Sequence, residues 1–306
     1  MAVYTKLTND QIQTFIANYA IGELESATPI QKGIENSNYL IICNGTKYIL
    51  TIFENRVENA DLPFFIRLTD HLRAKGINCP VNIPDKNGNQ LNEILGKKAS
   101  VISFLEGQDV EVVEDFHLEK LGAQLAKMHI AVADFKEVRQ NKFALSKWVS
   151  LLEHVGGRAD ELSPNLTPRI AAEIEFLAAN WPFGLPIGVV HTDLFPDNVF
   201  FSNGEVSGVI DFYFSCTDSF AYDIAICLNA WGAVGNSKRT KLFLDSYESI
   251  RKLSAEELAA LPVLQRGAAI RFLMTRLYDW FNTPETALVK KKDPLEYLQK
   301  LDVLSA

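Results

Sequence analysis

The chain opens on a helical pattern. Thr8-Asn9-Asp10-Gln11 reads as a capping box, and Ile12, Phe15, Ile16 and Tyr19 then recur at the spacing of one helix face. Two runs of strand formers follow, Tyr39 to Cys43 and Lys47 to Phe53, joined by Asn44-Gly45. That dipeptide supplies the positive-φ positions of a tight hairpin turn. A helix is expected over about 61–75, stopped by Gly76. Pro80 and Pro84 mark irregular chain, and Asp85-Lys86-Asn87-Gly88 reads as a turn. It leads to short strands at about 90–95 and 99–104.

Beyond that point helical periodicity dominates, at about 115–134, 145–156, 168–180, 218–231, 238–250, 255–281 and 285–301. Short apolar strands interrupt it near 187–190, 198–201 and 206–210. Strands first and helices later predict an α+β fold with two lobes, roughly 1–104 and 105–306. The expected junction is Phe104-Leu105-Glu106-Gly107, and a ligand cleft is expected there.

Composition narrows the class. The 306 residues suffice for a sizeable core, and 47% apolar with 22% charged residues fits a globular chain. A net charge of −8 argues against coating nucleic acid or an anionic membrane. No apolar run approaches the length of a membrane span, and the start, MAVYTKLTND, lacks a signal-peptide pattern. Four scattered cysteines without a C-x-x-C pair read as reduced thiols, so a cytoplasmic setting is expected.

The chemistry concentrates in Val189-Val190-His191-Thr192-Asp193-Leu194-Phe195-Pro196-Asp197-Asn198-Val199 and in Val209-Ile210-Asp211-Phe212. An apolar strand runs into a polar loop and a second strand. After a Ser202-Asn203-Gly204 turn, a third strand ends on Asp211. Phosphoryl transfer needs a carboxylate to orient the attacking hydroxyl and oxygen ligands to hold Mg²⁺ beside ATP. The spacing H-x-D-x-x-x-x-N followed by an aspartate is that of a kinase catalytic loop. Asp193 is assigned as catalytic base, His191 as the brace of its loop, and Asn198 and Asp211 as metal ligands.

These segments resemble the aminoglycoside phosphotransferase-type kinases. Their fold is related to the protein kinases, and they include choline, methylthioribose and some bacterial homoserine kinases. Gly33 to Tyr39, Ile49 to Glu54, Asp61 to Phe65, Ile102 to Gly107 and Arg271 to Trp280 resemble the homoserine kinases of this fold most. The resemblance implies a phosphate loop from Gln31 to Asn38, with Gly33, Asn36, Ser37 and Asn38 toward ATP. It implies an adenine hinge at Ser103 to Leu105 and a bracing role for Asp223. It also implies a third-strand lysine, where this chain holds Thr51; Arg56 lies just beyond.

L-Homoserine, a zwitterion with a primary hydroxyl, is then the expected acceptor. Its charges call for arginine and carboxylate partners. Arg271, Arg276 and Asp279 on the 255–281 helix are the candidates, with Asn229 and Trp231 lining the same cleft. Two enzymatic alternatives are an acidic pocket for an aminoglycoside and an aromatic cage for choline built from Trp231, Tyr278, Trp280 and Phe281. Methylthioribose is a further acceptor to weigh. A non-enzymatic alternative is a pseudokinase-like binding module, motivated by the missing lysine. The intact Asp193, Asn198 and Asp211 argue against it.

Overall fold

The computed structural model describes residues 4–30, 36–54, 57–283 and 291–306. Their contacts divide them into two compact units. One lies within Met1–Gly107 and Ser207–Tyr213, the other within Gln108–Val206, Phe214–Pro284 and Lys290–Ala306.

The first unit starts with helix α1 (Asn9–Ile16), whose capping box pairs Thr8 with Gln11 in both directions. Strands β1 (Leu24–Ile30), β2 (Ser37–Cys43), β3 (Thr46–Ile52), β4 (Asn92–Ile94) and β5 (Lys97–Ser103) form one antiparallel sheet in the order β1-β2-β3-β5-β4. The β2–β3 turn has φ of 45° at Asn44 and 73° at Gly45, as the Asn-Gly pair predicts. Helix α2 (Leu62–Ala74) ends before Gly76, whose φ is 84°. One sheet face is dry. Tyr39, Ile41, Leu50, Ile52, Ala99 and Val101 pack there against Ile12, Phe15, Ile16 and Tyr19 of α1.

At one end of this sheet lies a half-buried carboxylate. Glu54 pairs with Lys97 and accepts from Ser37 Oγ at 2.6 Å and Thr5 Oγ1 at 2.7 Å. Burial pushes its pKa up, but these bonds outweigh burial and hold it below the ordinary value.

The second unit is mainly helical: α3 (Asp115–Ala131), α4 (Trp148–Val155), α5 (Leu166–Asn180), α6 (Phe220–Ala230), α7 (Ser237–Glu248), α8 (Ala255–Asn282) and α9 (Leu295–Ser305). Short strands β6 (Ile187–Val190) and β9 (Cys216–Ser219) pair antiparallel. Between them in the chain come β7 (Val199–Ser202) and β8 (Glu205–Val209), the latter running into the Ser207–Tyr213 segment of the first unit. Two strands differ from the sequence expectation. β1 was not anticipated, and β9 (Cys216–Ser219) takes up the start of the expected 218–231 helix. Of the segment 285–301 expected to be helical, residues 285–290 lie outside the described residues and the helix begins at Leu295.

Helix α3 crosses α7 at Gly122. A Cβ there would collide with the carbonyl oxygen of Phe243, a main-chain atom that cannot rotate aside. Gly122→Ala should therefore force the helices apart and cost about 1–3 kcal/mol. Chemical denaturation of the two proteins measures this; equal midpoints would mean that the contact is not close.

Candidate active site

The loop after β6 is held on every side within the second unit. Thr192 has φ of 59°, a left-handed conformation that is costly for a β-branched residue. The Asp223 carboxylate on α6 accepts from the main-chain N–H of His191 at 2.9 Å and of Thr192 at 2.8 Å. Thr192 Oγ1 donates to the Phe214 carbonyl at 3.0 Å. Arg271 Nη1 of α8 donates to the Thr192 carbonyl at 2.7 Å, and Trp231 Nε1 to the Leu194 carbonyl at 2.8 Å. His191 Nδ1 accepts from the Asp193 N–H at 3.3 Å, within the same loop. A short 3₁₀ turn, Pro196–Asn198, then brings Asn198 back. Its Nδ2 donates to the Asp193 carbonyl at 2.8 Å and to Asp193 Oδ2 at 3.2 Å.

Behind Asp223 stands a buried chain that sequence reasoning missed. His129 of α3 lies between Asp223 Oδ2 (3.2 Å from Nε2) and the Tyr247 hydroxyl (2.7 Å from Nδ1). Arg251 Nη1 donates to the Tyr247 hydroxyl at 3.1 Å, and Arg251 Nη2 to Glu257 at 2.9 Å. Burial lowers the His129 pKa against the pull of Asp223, so the imidazole is neutral at neutral pH. A neutral ring that donates from Nε2 to Asp223 accepts at Nδ1 from Tyr247. Burial pushes the Asp223 pKa up, but the hydrogen bonds it accepts from His129 and from the main-chain N–H of His191 outweigh burial and leave it below the ordinary value.

The sign for stability follows. His129, Asp223 and Glu54 all have pKa values lowered on folding. The unfolded chain therefore binds more protons as pH falls, and stability is lost on acidification. The His129 share is present above about pH 6.5 and fades below it; the carboxylate share fades below about pH 4. Calorimetry should show a Tm that is level between about pH 7 and pH 8 and declines from about pH 6.5 downward. A Tm unchanged between about pH 7 and pH 5 would contradict the buried neutral histidine.

The remaining sequence candidates divide. Asp211 ends the segment after β8 with φ of 63°. Gly33 and Arg56 lie outside the described residues. Ser37 turns its hydroxyl to Glu54, and Asn36 Oδ1 accepts the Glu54 N–H at 3.3 Å. Asn38 pairs with Thr51, whose Oγ1 donates to its Oδ1 at 2.8 Å. Ser103 donates its N–H to the Val81 carbonyl at 2.9 Å, and Leu105 is buried.

On α8, Arg271 and Arg276 are both buried, at 2% and 8% exposure. Arg271 Nε has no hydrogen-bond partner among the described residues. Arg276 pairs with Glu296 at 2.6 Å and donates to the Asp293 carbonyl at 2.9 Å, so it is turned to α9. Asp279 is half-buried further along α8. Arg266 forms a bidentate pair with Glu173.

Two expectations need correcting. Asn229 and Trp231 do not line a cleft: both are fully buried, Asn229 bonded to Gln265 and Trp231 to Leu194. The aromatic cage for choline does not assemble either. Trp231 is sealed in the core and the Phe281 ring is covered by the Arg158 guanidinium at 4.2 Å.

The model of the phosphotransferase enzyme family, APH, matches residues 26–260. A homoserine kinase of Rhizobium etli is 50% identical over 306 residues, covering 98% of this chain and 95% of its own. One of Agrobacterium fabrum is 50% identical with the same coverage, 98% and 95%. Among solved structures, an amicoumacin kinase in complex with AMP-PNP superposes with a TM-score of 0.74 at 17% identity, covering 98% of this chain and 92% of that one. A spectinomycin phosphotransferase with ADP and spectinomycin gives 0.72 at 14% identity, covering 99% of both chains. At such identities these two show the fold, which is protein-kinase-like. The chain belongs to the phosphotransferase enzyme family.

Proposed function

We propose that this chain is an ATP- and Mg²⁺-dependent homoserine kinase. It would transfer the γ-phosphoryl group to the side-chain hydroxyl of L-homoserine and yield O-phospho-L-homoserine for threonine biosynthesis in the cytoplasm. Half of its residues are identical, over 98% of its length, to proteins named homoserine kinase. The observation that carries the chemistry is Asp193, hydrogen-bonded to Asn198 on a loop whose backbone is fixed by Asp223, Arg271 and Trp231.

In this reading residues 1–104 bind nucleotide and residues 105–306 carry catalysis and the acceptor. Asp193 orients the acceptor hydroxyl and takes its proton as the oxygen attacks phosphorus. His191 keeps the loop in shape. The Asn198 amide nitrogen is occupied by Asp193, which leaves its oxygen as an acceptor. Asp211 is the second proposed ligand; each of the two offers oxygen, which suits magnesium. Magnesium supplies charge neutralisation on the phosphates when bound. The Ser103 N–H is committed to Val81, so the main-chain groups of Leu105 are the better adenine partners.

Arg271, with its unused Nε, is the better partner for the homoserine carboxylate. Arg276 would have to leave Glu296 to serve. Asp279 remains the candidate for the ammonium group. The test is ADP release with Mg²⁺ and ATP, with and without L-homoserine. Release that depends on both magnesium and homoserine is expected. Release that is indifferent to homoserine would overturn the reading.

A further inference from the structure

The sheet of the first unit has a second face. Ile41, Leu50 and Ile52 point toward α1. Successive strand residues alternate, so Asn38, Thr51 and the following Phe53 lie on the other side. That side also holds Tyr213, whose ring meets Phe53 edge-on at 5.3 Å and Phe65 at 5.6 Å. Tyr213 stands two residues from Asp211, in the same unit. The face opposite α1 therefore carries the Asp211 segment as well as the ends of β2 and β3.

Asn38 and Thr51 are direct cross-strand partners on this face. Thr51 is buried, at 2% exposure, and its hydroxyl donates to Asn38 Oδ1. An amide whose oxygen is held this way presents its N–H₂ group elsewhere, and Asn38 is only half-buried. Among the described residues its Nδ2 has no hydrogen-bond partner. Ser37 cannot share the role, because its hydroxyl is engaged by Glu54 and by the N–H groups of Tyr4 and Thr5 on the α1 side.

We propose that the Asn38 amide, aimed by the Thr51 hydroxyl, donates to a phosphate of the bound nucleotide and takes the place of a lysine at position 51. This rests on the kinase reading above. The pair supplies a fixed neutral donor where a lysine would supply a mobile charge. Thr51 is a positioning residue here, acting only through Asn38.

The experiment is calorimetric titration of Mg²⁺–ATP and of adenosine into the full chain, with steady-state kinetics beside it. Asn38→Asp sets an anion against the phosphates. Asn38→Leu removes the donor at similar size and carries the test if the aspartate variant does not fold. Each should weaken ATP, in Kd and in KM, by about 10- to 100-fold. Adenosine affinity and the KM for homoserine should stay as they were. Thr51→Val should weaken ATP less, and Thr51→Ser should restore it. Parental ATP affinity in both folded Asn38 variants would overturn the proposal. So would an equal loss for adenosine and ATP, which would mark a structural role. A parent chain that binds no ATP would overturn this inference and the kinase reading together.

Discussion

Asp193→Asn should fold like the parent and bind ATP almost unchanged, while kcat falls by roughly 10²–10⁴-fold. An amide cannot take the proton that the acceptor hydroxyl must lose. The fold should survive because the bonds that shape the loop are made elsewhere. Asp223 holds two main-chain N–H groups, Arg271 and Trp231 hold two carbonyls, and Asn198 still reaches the main-chain oxygen of residue 193. Nucleotide titration and steady-state kinetics on the same preparation separate binding from chemistry. A kcat near the parent value would remove Asp193 from the role of base.

L-Homoserine should exceed L-serine in kcat/KM by about 10²-fold or more. Serine carries its hydroxyl one methylene nearer its charged groups. With the zwitterion held in place, that hydroxyl stops short of Asp193, and a misplacement of about 1 Å costs about that factor. Choline should be poorer still. It lacks the carboxylate that Arg271 is proposed to meet, and of the aromatic side chains that would have caged its cation Trp231 is sealed in the core and Phe281 lies under Arg158. Competition assays with the three acceptors at fixed Mg²⁺–ATP measure the ratios. Parity between serine and homoserine would mean that the zwitterion is not clamped.

What could be read ahead of the structure was local. Asn44-Gly45 dictates its own turn through backbone sterics, and Thr8 with Gln11 dictates its own cap. The kinase-like spacing from His191 to Asn198 was visible because the loop is continuous in sequence. β1 was not, because it is an edge strand with largely exposed or half-buried side chains, so it lacks an apolar rhythm. β9 was lost for another reason: Cys-Thr-Asp-Ser becomes a strand only by pairing with β6, some thirty residues upstream.

The supports of the active loop were the least legible part. His129, Tyr247 and Arg271 come from three helices and Trp231 from the end of a fourth; in sequence Arg271 and Trp231 pointed to the acceptor, and His129 and Tyr247 read as ordinary core residues. Only the fold brings them to one loop. Arg276 shows the converse: it shares a helix with Arg271, yet its partner is Glu296, on a helix no local rule connects to it.

Phosphorus NMR of the reaction of the chain with Mg²⁺, ATP and L-homoserine tests the central claim most directly. The account predicts ADP and a phosphomonoester in equal amounts, with the phosphorus coupled to the side-chain methylene next to oxygen. Inorganic phosphate as the sole product, or a phosphoryl group on the carboxylate of homoserine, would contradict it.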